Sequence, residues 1–319
     1  MEKGKATMNK DTLLVVGASG FVGKNIIEQL YEKYRIIAVD KKVDDSFFRS
    51  FLDVVSIEAD ITNLQDIEDI IDLYPPNFVV NLVSIVSAER DLSMFSSLIE
   101  TNLKVLINLF ETLQNKSSLR LFVQFGSAEE YGSLCPVPFR ECDREYPDSP
   151  YALIKQATTN TTLMLHRNYD FPSMVIRPGN LFGKYQSKDK LIPYLMDKLY
   201  HGENIEMTPG KQERDFIYCS DLVVSLDGLL GNYKHAIGKI VNIASGVGIS
   251  LRSLVESAKS LLDSDSKIKF GALPYRKNEM MHFQCDVGLL KSLIPNYRVT
   301  DFKIGLYSYL EFLKRSMED

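Results

Sequence analysis

This chain has little of what would make it a metalloprotein, a disulfide scaffold or a membrane protein. It carries only four cysteines, Cys135, Cys142, Cys219 and Cys285, and no C-x-x-C pair. Its four histidines, His166, His201, His235 and His282, are scattered with no H-x-x-x-H spacing. Neither pattern suits a metal site, so no metal is expected, and the thiols are expected to be reduced, as in a cytoplasmic protein. No apolar run approaches the ~20 residues that cross a bilayer. Met1 to Asp11 is polar and lacks the hydrophobic centre of a signal peptide, so a frayed tail is expected there. The net charge of -5 gives no electrostatic case for nucleic acid or an anionic membrane as a partner. Repeats, low-complexity segments and a clean linker are also missing. What remains is a chain of 319 residues, 45% hydrophobic, long enough for one large domain or two of ordinary size.

Against these absences, one stretch stands out: Leu13-Leu14-Val15-Val16-Gly17-Ala18-Ser19-Gly20-Phe21-Val22-Gly23. A β-branched apolar run reads as a buried strand; it stops at a glycine, two more glycines follow at three-residue intervals, and an amphipathic segment begins. Strand, tight turn and helix in this order let a backbone approach a pyrophosphate closely at a helix N-terminus. The candidates for that contact are Gly17, Ser19, Gly20, Phe21, Val22 and Gly23. Asp40 ends a second apolar run about twenty residues beyond Gly17, where an acid accepts hydrogen bonds from an adenosine ribose. It would repel a 2′-phosphate, which favours NAD over NADP. Lys41 and Lys42 follow it, either as shields for a 2′-phosphate or as solvated loop lysines.

Strand-like runs alternate with helical patterns through the first half. The strands are Leu13–Val16, Ile36–Val39, Val54–Glu58, Phe78–Leu82, Leu121–Phe125 and Met174–Arg177; the helices are Phe21–Tyr31, Leu64–Leu73, Phe95–Leu113 and Tyr151–Arg167. This alternation predicts an α/β fold, a doubly wound parallel sheet of the Rossmann type with all strand C-termini along one edge. After about residue 184 the rhythm changes to helices at Leu191–His201, Asp221–Leu230 and Leu251–Leu262, interrupted by short strands at Phe216–Tyr218 and Ile240–Ile243. The expected organisation is a dinucleotide-binding domain over 12–184 and a smaller, interleaved substrate-binding domain over 185–319, with segments near 216–243 returning to the sheet.

Tyr151-Ala152-Leu153-Ile154-Lys155 places a tyrosine and a lysine four apart, one turn along the same helix face. The ammonium favours the phenolate, so Tyr151 can exchange a proton with a sugar hydroxyl while hydride moves at the same carbon. Ser127, just past the strand Leu121–Phe125, can complete a Ser/Tyr/Lys trio, or it can serve as a helix N-cap. Glu129 is either a base in the pocket or a solvated loop acid.

Together these motifs resemble the extended short-chain dehydrogenase/reductase family of nucleotide-sugar epimerases, dehydratases and reductases, over nearly the whole chain. The resemblance implies NAD as cofactor, a nucleotide-diphosphate sugar as substrate and a homodimer packed through Phe95–Leu113 and Tyr151–Arg167. Residue by residue, Asp60 and Ile61 resemble the segment near the adenine. Asn81-Leu82-Val83-Ser84 is similar to the stretch lining the nicotinamide, which puts Leu82, Val83 and Ser84 on the cofactor, and Asn102 matches an asparagine of the next helix. Arg177-Pro178-Gly179-Asn180-Leu181-Phe182-Gly183 is similar to R-P-x-N-x-Y-G, with Pro178 toward the cofactor and Asn180 toward the sugar nucleotide. Arg214, in R-D-F-x-Y, and Arg276 match arginines that pair with the diphosphate, where a guanidinium fork fits phosphate oxygens.

The resemblance leaves the reaction divided. Sugar 4,6-dehydratases of the family commonly carry Asp-Glu where this chain has Ala128-Glu129, and Ala128 cannot protonate a departing hydroxyl. The run Gly126-Ser127-Ala128-Glu129-Glu130-Tyr131-Gly132 looks most like that of certain 4-keto-6-deoxysugar reductases, as does Phe270 to Met280. An NAD preference points instead to members that keep their cofactor through a closed cycle. Net oxidoreduction at the sugar C4 is therefore expected, with 4-epimerase, 4,6-dehydratase and a non-catalytic dinucleotide-binding protein as alternatives.

Overall fold

The apolar run after Asp11 forms a strand because both of its faces find a core. In the computed structural model, which describes residues 10–86 and 91–318, Thr12–Val16 (β1) is buried throughout. Leu13 and Val15 face one hydrophobic cluster and Leu14 and Val16 face another, the period-two alternation of a strand covered on both sides. The strands that follow are Arg35–Asp40 (β2), Val55–Glu58 (β3), Phe78–Asn81 (β4), Leu121–Phe125 (β5), Ser173–Pro178 (β6), Asn180–Phe182 (β7), Ile205–Met207 (β8), Glu213–Tyr218 (β9), Ile240–Ile243 (β10), Gly248–Ser250 (β11) and Ile268–Phe270 (β12). Seven of them make one sheet in the order β10-β6-β5-β4-β1-β2-β3, every pair parallel. The chain runs outward from β1 through β2 to β3 and then restarts at β4 on the other flank of β1. That reversal opens a crevice at the strand C-termini, where ligands bind in such sheets.

The helices that cover the sheet follow the expected segments closely. Phe21–Leu30 and Cys219–Gly231 pack into the first cluster, while Leu64–Leu73 and Val105–Leu113 pack into the second. The expected helix Phe95–Leu113 is continuous but not uniform. It starts as an α-helix at Phe95–Leu98, widens to a π-helical stretch over Ile99–Lys104 and resumes as Val105–Leu113. The Tyr151 segment lies in Pro150–Tyr169, started by Ser149, whose side chain accepts from the Ala152 N–H, with Pro150 in its first turn.

Past Pro178 the chain leaves the large sheet. β7 and β9 pair in parallel and β11 adds antiparallel, giving a three-stranded sheet, while β8 and β12 form a two-stranded one. A third cluster, including Phe182, Leu195, Met207, Phe216 and Leu254, fills this region. Of the segment expected to return, Phe216–Tyr218 instead belongs to β9 in the small sheet, because its partners Asn180–Phe182 have already left the large one. The helices Cys219–Gly231 and Tyr233–Ala236 and the strand β10 rejoin the first half. A closing helix, Phe302–Glu318, lays Leu306, Tyr309 and Leu310 into the third cluster.

Most of the N-terminal stretch expected to fray lies outside the described residues. Asp11 itself is tied down, its carboxylate 2.8 Å from Arg120 Nη1 and its carbonyl accepting the Arg35 N–H at 3.0 Å. No helix among the described residues is long and apolar enough to cross a membrane.

Candidate active site

At the C-terminal end of β1 the backbone itself makes the cradle. Gly17 sits at φ +84°, and a Cβ there would lie 3.2 Å from both the Leu82 carbonyl carbon and the Val83 nitrogen. A Cβ on Gly23 would come within 2.5 Å of the Ala18 carbonyl oxygen, so the first turn of the helix can press on the loop only without one. The helix Phe21–Leu30 has Gly20 as its N-cap, and no side chain caps it. Its first N–H groups thus point into the crevice with the positive end of the helix dipole, a binding place for pyrophosphate oxygens. Asp40 closes β2 beside them and accepts the Ser19 N–H on Oδ2 at 2.8 Å. These features fit a dinucleotide.

The remaining cofactor candidates line the same edge. Leu82 is tied to β1 by its N–H on the Val16 carbonyl at 2.9 Å, and the Asn81 side chain accepts the Val83 N–H at 3.2 Å. Pro178 ends β6 at this edge. Lys41 pairs with Asp60 at 2.8 Å rather than standing loose beside Asp40, and Asp60 also accepts from the Thr62 hydroxyl. These bonds hold the Asp60 carboxyl down at about 2. Ile61 is buried against the second cluster. Asn102 lies in the π-helical stretch, buried, and its Oδ1 has no hydrogen-bond partner among the described residues. A widened turn with an unmet acceptor is characteristic of functional sites.

Tyr151, Lys155 and Ser127 converge at the end of β5. Tyr151 stands near both Ser127 and Ser84, which places the helix against the β4 and β5 edges. Burial pushes its phenol well above the ordinary range, Glu129 and Glu130 push it further, and the two serines oppose them. The Lys155 ammonium, 3% exposed, donates to the Phe125 carbonyl at 2.8 Å and stands 6.0 Å from the centre of the Tyr151 ring. Burial lowers its pKa to about 8. Ser127 caps the short turn Ala128–Tyr131, accepting the Glu129 N–H at 3.1 Å while Glu130 reaches back to the Ser127 N–H at 2.8 Å. The N-cap reading of Ser127 is thus met, on a side chain that stands beside Tyr151. Ala128 is fully buried with Tyr131 and Phe139, and Glu129 is exposed.

The substrate-side candidates are less gathered. Arg214, on β9, donates Nη1 to the carbonyls of Glu213 and Met280 at 2.8 and 2.7 Å, and its Nη2 lies 2.6 Å from Glu279. A cavity of about 550 Å³ opens beside it, lined by Glu213, Glu279, Met280 and Cys135 among others. Arg276 is exposed and does not line it. Asn180 starts β7 and keeps a buried Nδ2 without a partner among the described residues.

Three residues that sequence reasoning passed over complete the picture. Asp215 is fully buried, and its carboxylate accepts from Ser245 N–H and Oγ, Gly246 N–H and Cys285 N–H, which pins the loops around Arg214. Glu130 and Arg177 form a buried ion pair beneath Ser127, with Nη2 to Oε2 at 2.7 Å. The spacing Ser127-x-x-Glu130 is a capping-box signature and could have drawn attention to Glu130.

Known proteins align with this chain over most of its length. The chain is 26% identical over 287 residues to a dTDP-glucose 4,6-dehydratase of Haemophilus influenzae, covering 84% of each chain. It is 26% identical over 290 residues to a CDP-abequose synthase of Salmonella muenchen, covering 88% of this chain and 91% of that protein. A UDP-N-acetylglucosamine 4-epimerase from Methanobrevibacter ruminantium M1, solved with UDP-N-acetylmuramic acid, superposes with a TM-score of 0.87 at 21% identity, over 97% of this chain and 100% of that one. A dTDP-glucose 4,6-dehydratase from Bacillus anthracis, solved with NAD, does so at 0.84 and 23%, over 97% and 98%. These two likenesses speak to the fold, a Rossmann-type sheet. The family model described as the NAD dependent epimerase/dehydratase family matches residues 13–244, and this chain belongs to that family.

Proposed function

We propose that this NAD-dependent enzyme catalyses oxidoreduction at C4 of a nucleotide-diphosphate sugar, with reduction of a 4-keto sugar as the net reaction. The observation that carries the reading is the convergence of Tyr151, Ser127 and Lys155 at one sheet edge while position 128 is a fully buried alanine. Expelling a C6 hydroxyl needs a proton donor, and Ala128 has none.

Bound NAD supplies the hydride donor or acceptor. Gly17, Ser19, Gly20, Phe21, Val22 and Gly23 would hold its pyrophosphate, Asp40 the adenosine ribose, and Asp60 and Ile61 the adenine. Leu82, Val83, Ser84, Asn102 and Pro178 would border the nicotinamide, with Tyr151 and Lys155 at its ribose. Burial raises the Tyr151 phenol above its ordinary range, so Tyr151 would meet the substrate oxygen as an acid. An acid there donates to the oxygen of a C4 ketone, the step that reduction needs. Ser127 would share that oxygen, and the Lys155 charge would stabilise the phenolate left once the proton has gone. On the substrate side, Asn180, Arg214 and Arg276 would take the sugar nucleotide, a diphosphate displacing Glu279 from the Arg214 guanidinium.

A dehydratase is the second reading, because Glu129 stands close enough to Tyr151 to raise its pKa and could act as a base. A homodimer fits the exposed Ile99, Ile107 and Leu153 on the two long helices, and free thiols at all four cysteines fit a cytoplasmic setting.

The test is to supply a nucleotide-linked 4-keto sugar with NADH and follow NADH loss. The Tyr151→Phe variant should lose turnover by roughly a hundred- to ten-thousand-fold while binding NAD as before. Turnover of a 4-hydroxy nucleotide sugar with loss of water would favour the dehydratase instead.

A further inference from the structure

Glu130 is 0% exposed and is met by four donors from three elements. Its Oε1 accepts the Ser127 N–H at 2.8 Å and the Thr159 hydroxyl at 3.1 Å; its Oε2 accepts Arg177 Nε at 2.9 Å and lies 2.7 Å from Nη2. Thr159 lies on the same helix as Tyr151 and Lys155, and 151, 155 and 159 repeat every four residues, so all three share one face. A single carboxylate therefore links the turn that carries Ser127 to the helix face that carries the tyrosine and the lysine. The backbone is shaped to admit it: a Cβ on Gly126 would lie 2.4 Å from Glu130 Oε1. Gly126 adjoins Phe125, whose carbonyl receives Lys155 Nζ.

Arg177 is the other half of the device. A guanidinium keeps its proton, and one that is fully buried needs an anion beside it. Here it has two, Glu130 and, at 2.6 Å from Nη2, Glu145, and its carbon stands 4.6 Å over the Tyr131 ring. Burial by itself raises the Glu130 pKa, and Arg177, the Ser127 N–H and Thr159 oppose that. Tyr151 meets Glu129 and Glu130 from the turn and Ser84 from the β4 edge. Lys155 meets Glu130 and the Phe125 carbonyl.

We propose that Glu130, held ionised by Arg177, is a positioning residue that fixes Ser127 against the Tyr151/Lys155 helix face and sets the charge that Lys155 feels. This rests on the reading of Tyr151, Ser127 and Lys155 as the reacting trio. Glu130 touches no substrate; it acts through the groups it holds.

The experiment is competitive acetylation of Lys155 with acetic anhydride across pH, read by peptide mass spectrometry on the full-length protein, which needs no turnover. Glu130→Gln removes a carboxylate whose charge supports the ammonium, so the Lys155 midpoint should fall by about one pH unit from its already lowered position. Thr159→Val leaves the charge in place but cuts the bond to the helix. It should lower kcat about tenfold, as a misplaced group does, with the KM for NADH unchanged. An unmoved Lys155 midpoint in Glu130→Gln overturns the proposal, and if that variant does not fold, wild-type kcat in Thr159→Val overturns it. Failure of the trio reading shows separately, as a Tyr151→Phe variant that still turns over.

Discussion

The two halves of the site are held in different ways. On the cofactor side the backbone does the holding: Gly17 at positive φ, Gly23 against Ala18 and uncapped helix N–H groups, all on elements locked into a seven-stranded sheet. On the substrate side the holding is by side chains reaching between short strands, as when Arg214 spans to Glu279 and Asp215 gathers Ser245, Gly246 and Cys285. A backbone cradle is rigid and suits a ligand common to a whole family. A cradle of side chains can be re-aimed by single substitutions, which suits the side proposed to take the sugar nucleotide.

That contrast can be broken from either side. Gly17→Ala should cost the most, because it places a side chain at φ +84° and 3.2 Å from the Leu82–Val83 peptide. A loss of ~1–3 kcal/mol in stability together with weaker NAD binding is expected, read by thermal unfolding and calorimetry. Unchanged NAD affinity would mean that the loop is more yielding than its packing indicates. Arg214→Ala should weaken nucleotide-diphosphate binding by about tenfold or more, the worth of a charged hydrogen bond, while sparing NAD. Equal loss for both ligands would show that the two halves are not independent. Asp40→Ala should have the smallest effect, eroding discrimination between NAD and NADP by roughly tenfold. Lys41 is engaged by Asp60, and an unchanged ratio would mean that another group reads the ribose.

The same contrast explains what the amino-acid sequence discloses. Period-two burial and glycine spacing are local signals, so β1, β2, the helix Phe21–Leu30 and the Gly17–Gly23 cradle are legible residue by residue. The three-residue strands β7, β8, β11 and β12 carry no period to read, and their pairing is decided by partners far along the chain. The helix Phe302–Glu318 did carry a signal, with Phe302, Leu306, Tyr309, Leu310 and Leu313 on one face, beyond the reach of the expected elements. Within the site, Tyr151 and Lys155 are visible because a helix sets their spacing. The ion pair of Glu130 with Arg177 joins residues 47 apart in sequence, and only the fold brings them together. The partner of Arg214, Glu279, lies 65 residues away for the same reason.

Hydride passage between the cofactor and the sugar C4, with Tyr151 handling the proton, is the centre of the proposed reaction. The most direct measurement supplies a nucleotide-linked 4-keto sugar and NADH deuterated at the transferring position, and locates the label in the product by NMR. Deuterium at C4 of a 4-hydroxy sugar, lost together with turnover in Tyr151→Phe, is the predicted result. A product that forms without deuterium at C4 would contradict it.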